Sequence, residues 1–320
     1  MSTTNFHRIL CAADFSELSL RALAHAAALA RWSGARLSLL HAVAPPDFRL
    51  IGAGPLDAAE RERRLEALRR FAEPVLGPST TRLVLREGEA AREIAAESLG
   101  WGADLVVVGT HGRRGLEHWE LGSVAEQVIR TAPCPVLTVP RGSRPPRGPG
   151  EAPFRSVLCA LDLGPSSALT LEYALSLALR ARAAATVLYA MEDVPEAAHR
   201  MQLRLGAPWF AAYRDAVEKE ARACLRQLLP EEVRAACAVE EIVVPGKARR
   251  QIVRVAGERE ADLVVMGVHG ARPLQVTLFG STAARVVREA PCPVLTVPPR
   301  AGARVADVIE GRWALAQPAR

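Results

Sequence analysis

Lysine is nearly absent from this sequence. It stands only at Lys219 and Lys247, so the formal net charge of +6 is carried almost wholly by arginine. The arginines are interleaved with glutamate in helix-like stretches such as AAERERRLEALRRFAE. That pattern reads as a solvated helix face rather than a polyanion-binding stripe. No basic-aromatic pattern or nucleic-acid motif accompanies it, so no nucleic-acid partner is expected. Long apolar runs are missing too. No stretch approaches the length of a membrane span, and no apolar targeting segment follows Met1. The expectation is a soluble cytoplasmic chain with no membrane partner. Six cysteines are present, but no two form a C-x-x-C pair, which argues against zinc-finger and thioredoxin-type chemistry. Cys11 and Cys159 fall in strand-like runs, and Cys134 and Cys292 sit between prolines, as buried reduced thiols would. His111 and His118 lack further His or Cys at ligand spacing, so no metal site is expected. The P-loop signature is absent, since Lys247 follows Gly246 but precedes Ala248. No G-x-G-x-x-G follows a first strand.

What the chain does have is a duplication. VVVGTHGRRGLEHWELGSVAEQVIRTAPCPVLTVP, residues 106–140, returns as VVMGVHGARPLQVTLFGSTAARVVREAPCPVLTVP at 264–298. RILCAADFS likewise returns as SVLCALDLG, which sets Asp14 on Asp162. The offsets, 148 and 158, give the second copy ten extra residues, expected in MEDVPEAAHRMQLRLGAPWFAAYRD. The expected organisation is a first domain over 1–141, a Pro/Gly-rich linker over 142–153, a second domain over 154–300 and a tail over 301–320. The tail reads either as a short helix around Val305 to Ile309 or as loose chain. Within each copy strand-like and helix-like segments alternate, and runs such as DLVVVG and DLVVMG suit parallel strands covered on both faces. The fold class is therefore α/β, with two doubly wound parallel five-stranded sheets of Rossmann-like type.

Both copies spell G-x2-G-x9-G-S: Gly109, Gly112, Gly122 and Ser123, then Gly267, Gly270, Gly280 and Ser281. The first glycine ends a buried strand and the Gly-Ser pair opens a helix, so both ends of the motif face the crevice beyond the strand ends, where open parallel sheets bind ligands. Glycine permits positive φ and lets backbone N–H groups approach a ligand. Gly122 and Ser123 are expected to present free N–H donors and the positive end of a helix dipole to an anion. A plain structural account exists: Ser123 and Glu126 form S-x-x-E, a capping box, and glycines shape turns. For one copy the two accounts balance. Two copies with intact spacing and diverged spacers favour a ligand, a di- or triphosphate.

The first-strand Asp14 and Asp162, the GTHG and GVHG turns, the nine-residue spacer, the Gly-Ser pair and the closing APCPVLTVP together resemble a tandem universal stress protein of the ATP-binding type. The resemblance covers nearly all of both copies. It implies the adenine nucleotide alpha hydrolase-like fold, and ATP, free or as its magnesium complex, as the ligand. It places Gly109, His111, Gly112, Gly122, Ser123, Val124 and Ala125 at the phosphate end of the first pocket. Gly267, His269, Gly270, Gly280, Ser281, Thr282 and Ala283 fall at that of the second. Asp14 and Asp162 become candidates for ribose, adenine-edge or metal-water contacts, unless they cap the following segment. Val43 and Met191 would cover adenine and Val108 and Met266 flank it, unless all four are simply core.

The resemblance also implies that the last strands, Val136 to Val139 and Val294 to Val297, pair antiparallel as an internal pseudo-dimer, with homodimerisation left open. Two departures stand out: Gly164 replaces the serine found at Ser16, and the first spacer RRGLEHWEL carries two acids where ARPLQVTLF carries none. Rapid phosphoryl transfer needs an activated nucleophile, a metal cage and cationic groups beyond Arg113, Arg114 or Arg272, so the expected role is regulatory binding in the stress response, with slow hydrolysis at most. The alternative is a nucleotide-free dimerisation or scaffold module, which predicts broken glycine motifs; here they are intact.

Overall fold

The computed structural model describes residues 5–44, 56–77, 81–110, 121–148, 150–164, 166–191, 207–229, 234, 238–268 and 280–299. The first half runs β1 (Arg8–Ala12), α1 (Glu17–Ser33), β2 (Arg36–Val43), α2 (Ala58–Leu76), β3 (Arg82–Glu87), α3 (Ala90–Trp101), β4 (Leu105–Gly109), α4 (Ser123–Thr131) and β5 (Val136–Val139). The second runs β6 (Ser156–Leu161), α5 (Ser167–Ala181), β7 (Ala184–Met191), α6 (Ala207–Leu228), β8 (Val239–Pro245), α7 (Ala248–Glu258), β9 (Leu263–Gly267), α8 (Ser281–Glu289) and β10 (Val294–Val297).

The helix limits follow from local chemistry. Ser16 caps α1 by accepting from Ser19 N, and Gly34 ends it in the left-handed conformation at φ 72°. Asp57 caps α2 by accepting from Glu60 N. Along α2, Glu60 pairs with Arg63 and Arg64, and Glu66 with Arg69 and Arg70. The arginine-rich stretch is thus the solvated helix face that its spacing implied.

Within each half every strand pair is parallel, and the order is 3-2-1-4-5. The halves meet where β5 and β10 pair antiparallel, Thr138 opposite Val294, Leu137 opposite Leu295 and Val136 opposite Thr296. The two expected sheets are thus halves of one ten-stranded sheet, β3-β2-β1-β4-β5-β10-β9-β6-β7-β8. Across the seam, buried Thr138 Oγ1 donates to Val294 O at 3.1 Å and Thr296 Oγ1 to Val136 O at 3.1 Å.

Alternate strand residues enter two apolar layers. Ile9, Cys11, Leu105 and Val107 pack under α1, α2, α5 and α6, whereas Leu10, Val106 and Val108 pack under α3, α4, α7 and α8. Burial on both faces explains the continuous apolar reading of β4 and β9. Cys11, Cys134, Cys159 and Cys292 are buried free thiols, and Cys224 is half-buried. Burial pushes Cys134 and Cys292 up to about 12, which leaves them unreactive. The element bounds put most of the ten extra residues in α6 and between α6 and β8, later than most of the stretch expected to hold them. Residues 192–206, like the tail with Val305 to Ile309, lie outside the described residues.

Candidate functional site

In an open sheet of this order the strand sequence reverses between β1 and β4, and again between β6 and β9, which opens a crevice at their C-terminal ends. Asp14 stands just past β1 and Asp162 just past β6. Asp14 Oδ1 accepts from Ser16 N at 3.0 Å and from Ser16 Oγ at 2.5 Å. Asp162 Oδ1 accepts from Gly164 N at 2.9 Å and Ser167 Oγ at 2.8 Å, while its Oδ2 is buried with no partner among the described residues. Each aspartate is followed by a non-glycine residue in the left-handed region, Phe15 at φ 65° and Leu163 at φ 57°. This bend turns the chain from strand into helix over the crevice. It is strained, and persists because surrounding contacts hold it. Phe15 packs on His41 at 4.4 Å and edge-on to Phe71 at 5.5 Å, and His41 Nδ1–H donates to Ala13 O at 2.7 Å.

Across the crevice start α4 and α8, and here the structure corrects the sequence reading. The N-caps are Gly122 (φ −59°, ψ 133°) and Gly280 (φ −60°, ψ 135°), neither with a side-chain cap bond. The Ser123–Glu126 capping box therefore does not form; Ser123 is already inside the helix. None of Gly109, Gly122, Gly267 and Gly280 has positive φ, so conformational freedom is not their purpose. Close approach is what Gly109 and Gly280 serve. A Cβ on Gly109 would lie 3.2 Å from the Leu18 carbonyl oxygen, and one on Gly280 3.2 Å from that of Val268. Nor is the amide of either cap free. Gly122 N donates to Thr110 O at 2.8 Å, and Gly280 N to Val268 O at 3.4 Å.

The donors left over lie one to three residues further on. Helical bonding resumes with Glu126 N to Gly122 O at 3.0 Å and Ala284 N to Gly280 O at 2.9 Å. The amides of Ser123, Val124 and Ala125, and of Ser281, Thr282 and Ala283, have no partner among the described residues. Unpaired amides with the positive helix dipole behind them make an anion site. Gly122 and Gly280 are half-buried and Ser123 and Ser281 exposed, so neither helix start is walled off.

The profile of the universal stress protein family matches residues 5–140 and 153–298, once for each half. The chain belongs to that family, as a tandem member. It is 38% identical over 137 residues to a universal stress protein of Thermus aquaticus, covering 42% of this chain and 98% of the relative. A universal stress protein of Mycolicibacterium smegmatis is 27% identical over 312 residues, covering 91% of this chain and 97% of the relative. Among solved structures, a universal stress protein from Archaeoglobus fulgidus superposes with a TM-score of 0.60 at 19% identity, over 92% of this chain and 98% of that one. That likeness concerns the fold.

The remaining site candidates of this stress protein divide. Val108 and Met266 are core side chains, 4% and 5% exposed. Val43 and Met191 are half-buried at the strand ends, and their carbonyls already accept from Gly88 N and Gly246 N at 2.9 Å each. His111, Gly112, His269 and Gly270 lie outside the described residues, as do His118 and most of both spacers. Among the described residues no cluster of His, Cys, Asp or Glu is suited to a metal ion, and no helix is long and apolar enough to cross a membrane. The residues missed at sequence level are Phe15 and Leu163, Ser19 and Ser167, and Thr110 and Val268. Ser19 has a signal, in that Ser16 and Ser19 continue the spacing from Asp14. Thr110 and Val268 act through their carbonyls, which leave no trace in side-chain type.

Proposed function

We propose that this universal stress protein binds an adenine nucleotide, ATP free or as its magnesium complex, at the C-terminal strand edge of its halves. The nucleotide acts there as a regulatory ligand in the stress response, with slow hydrolysis at most. The observation that carries this reading is the pair of helix starts, each with three main-chain amides unpaired among the described residues, set opposite a strand-end carboxylate. The amides suit phosphate oxygens. Asp14 and Asp162 suit the donors of a sugar, a base edge or a metal-bound water, since an ionised carboxylate only accepts. His111, Gly112, His269 and Gly270 complete the phosphate ends in this reading, and Val43 and Met191 offer apolar cover. This inventory of amides and one carboxylate per half favours holding a nucleotide over rapid phosphoryl transfer. Domains 1–141 and 154–300 each count as one nucleotide unit.

The second reading is a nucleotide-free scaffold, and the β5–β10 seam favours it, because assembly through that seam needs no ligand. One pair of measurements separates them: the melting temperature with and without millimolar ATP, and mass spectrometry of what co-purifies. A ligand at 100 times its Kd stabilises the folded state by about 2.7 kcal/mol. A clear upward shift, or bound nucleotide, supports the first reading. No shift and no nucleotide would establish the scaffold.

A further inference from the structure

We infer that the two sites are unequal: the second half is the tight site, for a ligand that joins a polyphosphate to hydroxyl or amino donors, and the first half is tuned weak. This rests on the nucleotide reading above. Three separate observations point the same way. The first turn of α4 carries Glu126, whereas that of α8 carries no acid. A carboxylate in the first turn favours the helix itself but opposes an incoming anion at the same dipole end.

Next, the cap amide of α4 is held firmly by Thr110 O at 2.8 Å, while that of α8 reaches Val268 O only at 3.4 Å. Gly280 N is thus the more easily diverted to a phosphate oxygen. Finally, the carboxylates differ. Asp14 takes both hydrogens of Ser16, so one neighbour serves it twice. Where Ser16 stands the second half has Gly164, and the second hydrogen on Asp162 Oδ1 comes from Ser167 Oγ instead. Asp162 Oδ2 is buried without a donor among the described residues. A buried, unpaired carboxylate oxygen is costly unless something supplies a hydrogen. A fully ionised phosphate chain has none to give; a sugar hydroxyl, a base amine or a metal-bound water does. The unpaired oxygen and the unpaired amides of α8 lie at one strand-order reversal, between β6 and β9.

The test uses the intact chain and equilibrium dialysis with labelled ATP and magnesium, then with inorganic tripolyphosphate. ATP is expected to fill two classes of site that differ by about ten-fold or more, from the combined anion and carboxylate effects. Asp162→Asn weakens the tight class for ATP and does not weaken tripolyphosphate binding, which gains nothing from that carboxylate. Asp14→Asn changes only the weak class. Glu126→Gln tightens the weak class by about two- to five-fold. Circular dichroism of each variant guards against misfolding, and Glu126→Gln, altering a helix side chain outside the core, keeps the test open should Asp162→Asn fail to fold. Two equal classes, or the tight class abolished by Asp14→Asn and not by Asp162→Asn, would overturn the inference and leave the nucleotide reading standing. Absence of ATP binding at either class would overturn both.

Discussion

Acidification provides a quantitative check on how the halves are tied together. His25 on α1 lines a cavity of about 390 Å³ beneath the linker, facing Arg144, Pro146, Phe154 and Cys292, with Glu260 and Asp262 also on its wall. Burial lowers the His25 pKa to about 4, and the bond from its ring to the Arg144 backbone only partly offsets this. The unfolded chain has the ordinary value near 6.5 and so takes up its proton first. Stability from a neutral His25 is therefore fully present above about pH 6.5 and is lost as pH falls toward 4. The slope is about 1.4 kcal/mol per pH unit, roughly 2 kcal/mol by pH 5 and at most about 3 kcal/mol by pH 4. The assay is urea unfolding at pH 7, 6 and 5 of the wild type and His25→Gln. The difference between the two removes the carboxylates common to both. Relative to the variant, the wild type is expected to lose about 2 kcal/mol between pH 7 and 5. Parallel pH profiles, or a wild type that gains on acidification, would refute the reasoning.

Glu97 is 3% exposed, and although burial alone would raise its pKa, hydrogen bonds from Arg86 and Arg82 hold it below the usual carboxylate range. Glu97→Gln should therefore cost about 1.5–3 kcal/mol at pH 7 in chemical unfolding, and a cost below about 0.5 kcal/mol would contradict a structural role. Its contribution is present above the ordinary glutamate range and fades as pH falls through its lowered value. At the seam, Thr138→Val and Thr296→Val each delete a buried hydroxyl while keeping shape. Each should cost about 0.5–1.5 kcal/mol in unfolding, and no loss in either would mean the hydroxyl bonds across β5 and β10 add nothing.

Much of the fold was legible because the chain repeats. A strand buried on both faces reads as an apolar run, and β4 and β9 do so twice; the antiparallel seam of the two PVLTV strands was implied by the family resemblance. Some helix limits rest on residue types that favour them, Ser16 and Asp57 as caps and Gly34 as a left-handed stop. Where the backbone makes them, side-chain type does not show which residue is the cap. Ser123 looks like a cap by type, yet Gly122 takes that place because its amide closes on the Thr110 carbonyl, a contact no side chain announces. Nor did the sequence reveal Phe15 and Leu163 in the left-handed region, since residues of that kind rarely adopt it. The aspartates, glycines and helix starts were visible as a set. Which amides remain available was not, because that depends on where main-chain bonds are spent.

The central claim is that main-chain amides at the starts of α4 and α8 grip a polyphosphate, and proline tests it with little disturbance elsewhere. Ser123 and Ser281 occupy the first helical position, where proline fits, and Gly122 and Gly280 before them already have the extended backbone proline requires. The double variant Ser123→Pro, Ser281→Pro deletes one amide donor from each helix start and leaves the helical bonds in place. The decisive measurement is its ATP dissociation constant beside that of the wild type. A hydrogen bond to a charged group is worth about 1.5–3 kcal/mol, so affinity should fall about ten-fold or more with the melting temperature of the free protein nearly unchanged. Unaltered ATP affinity in a folded variant would contradict the account.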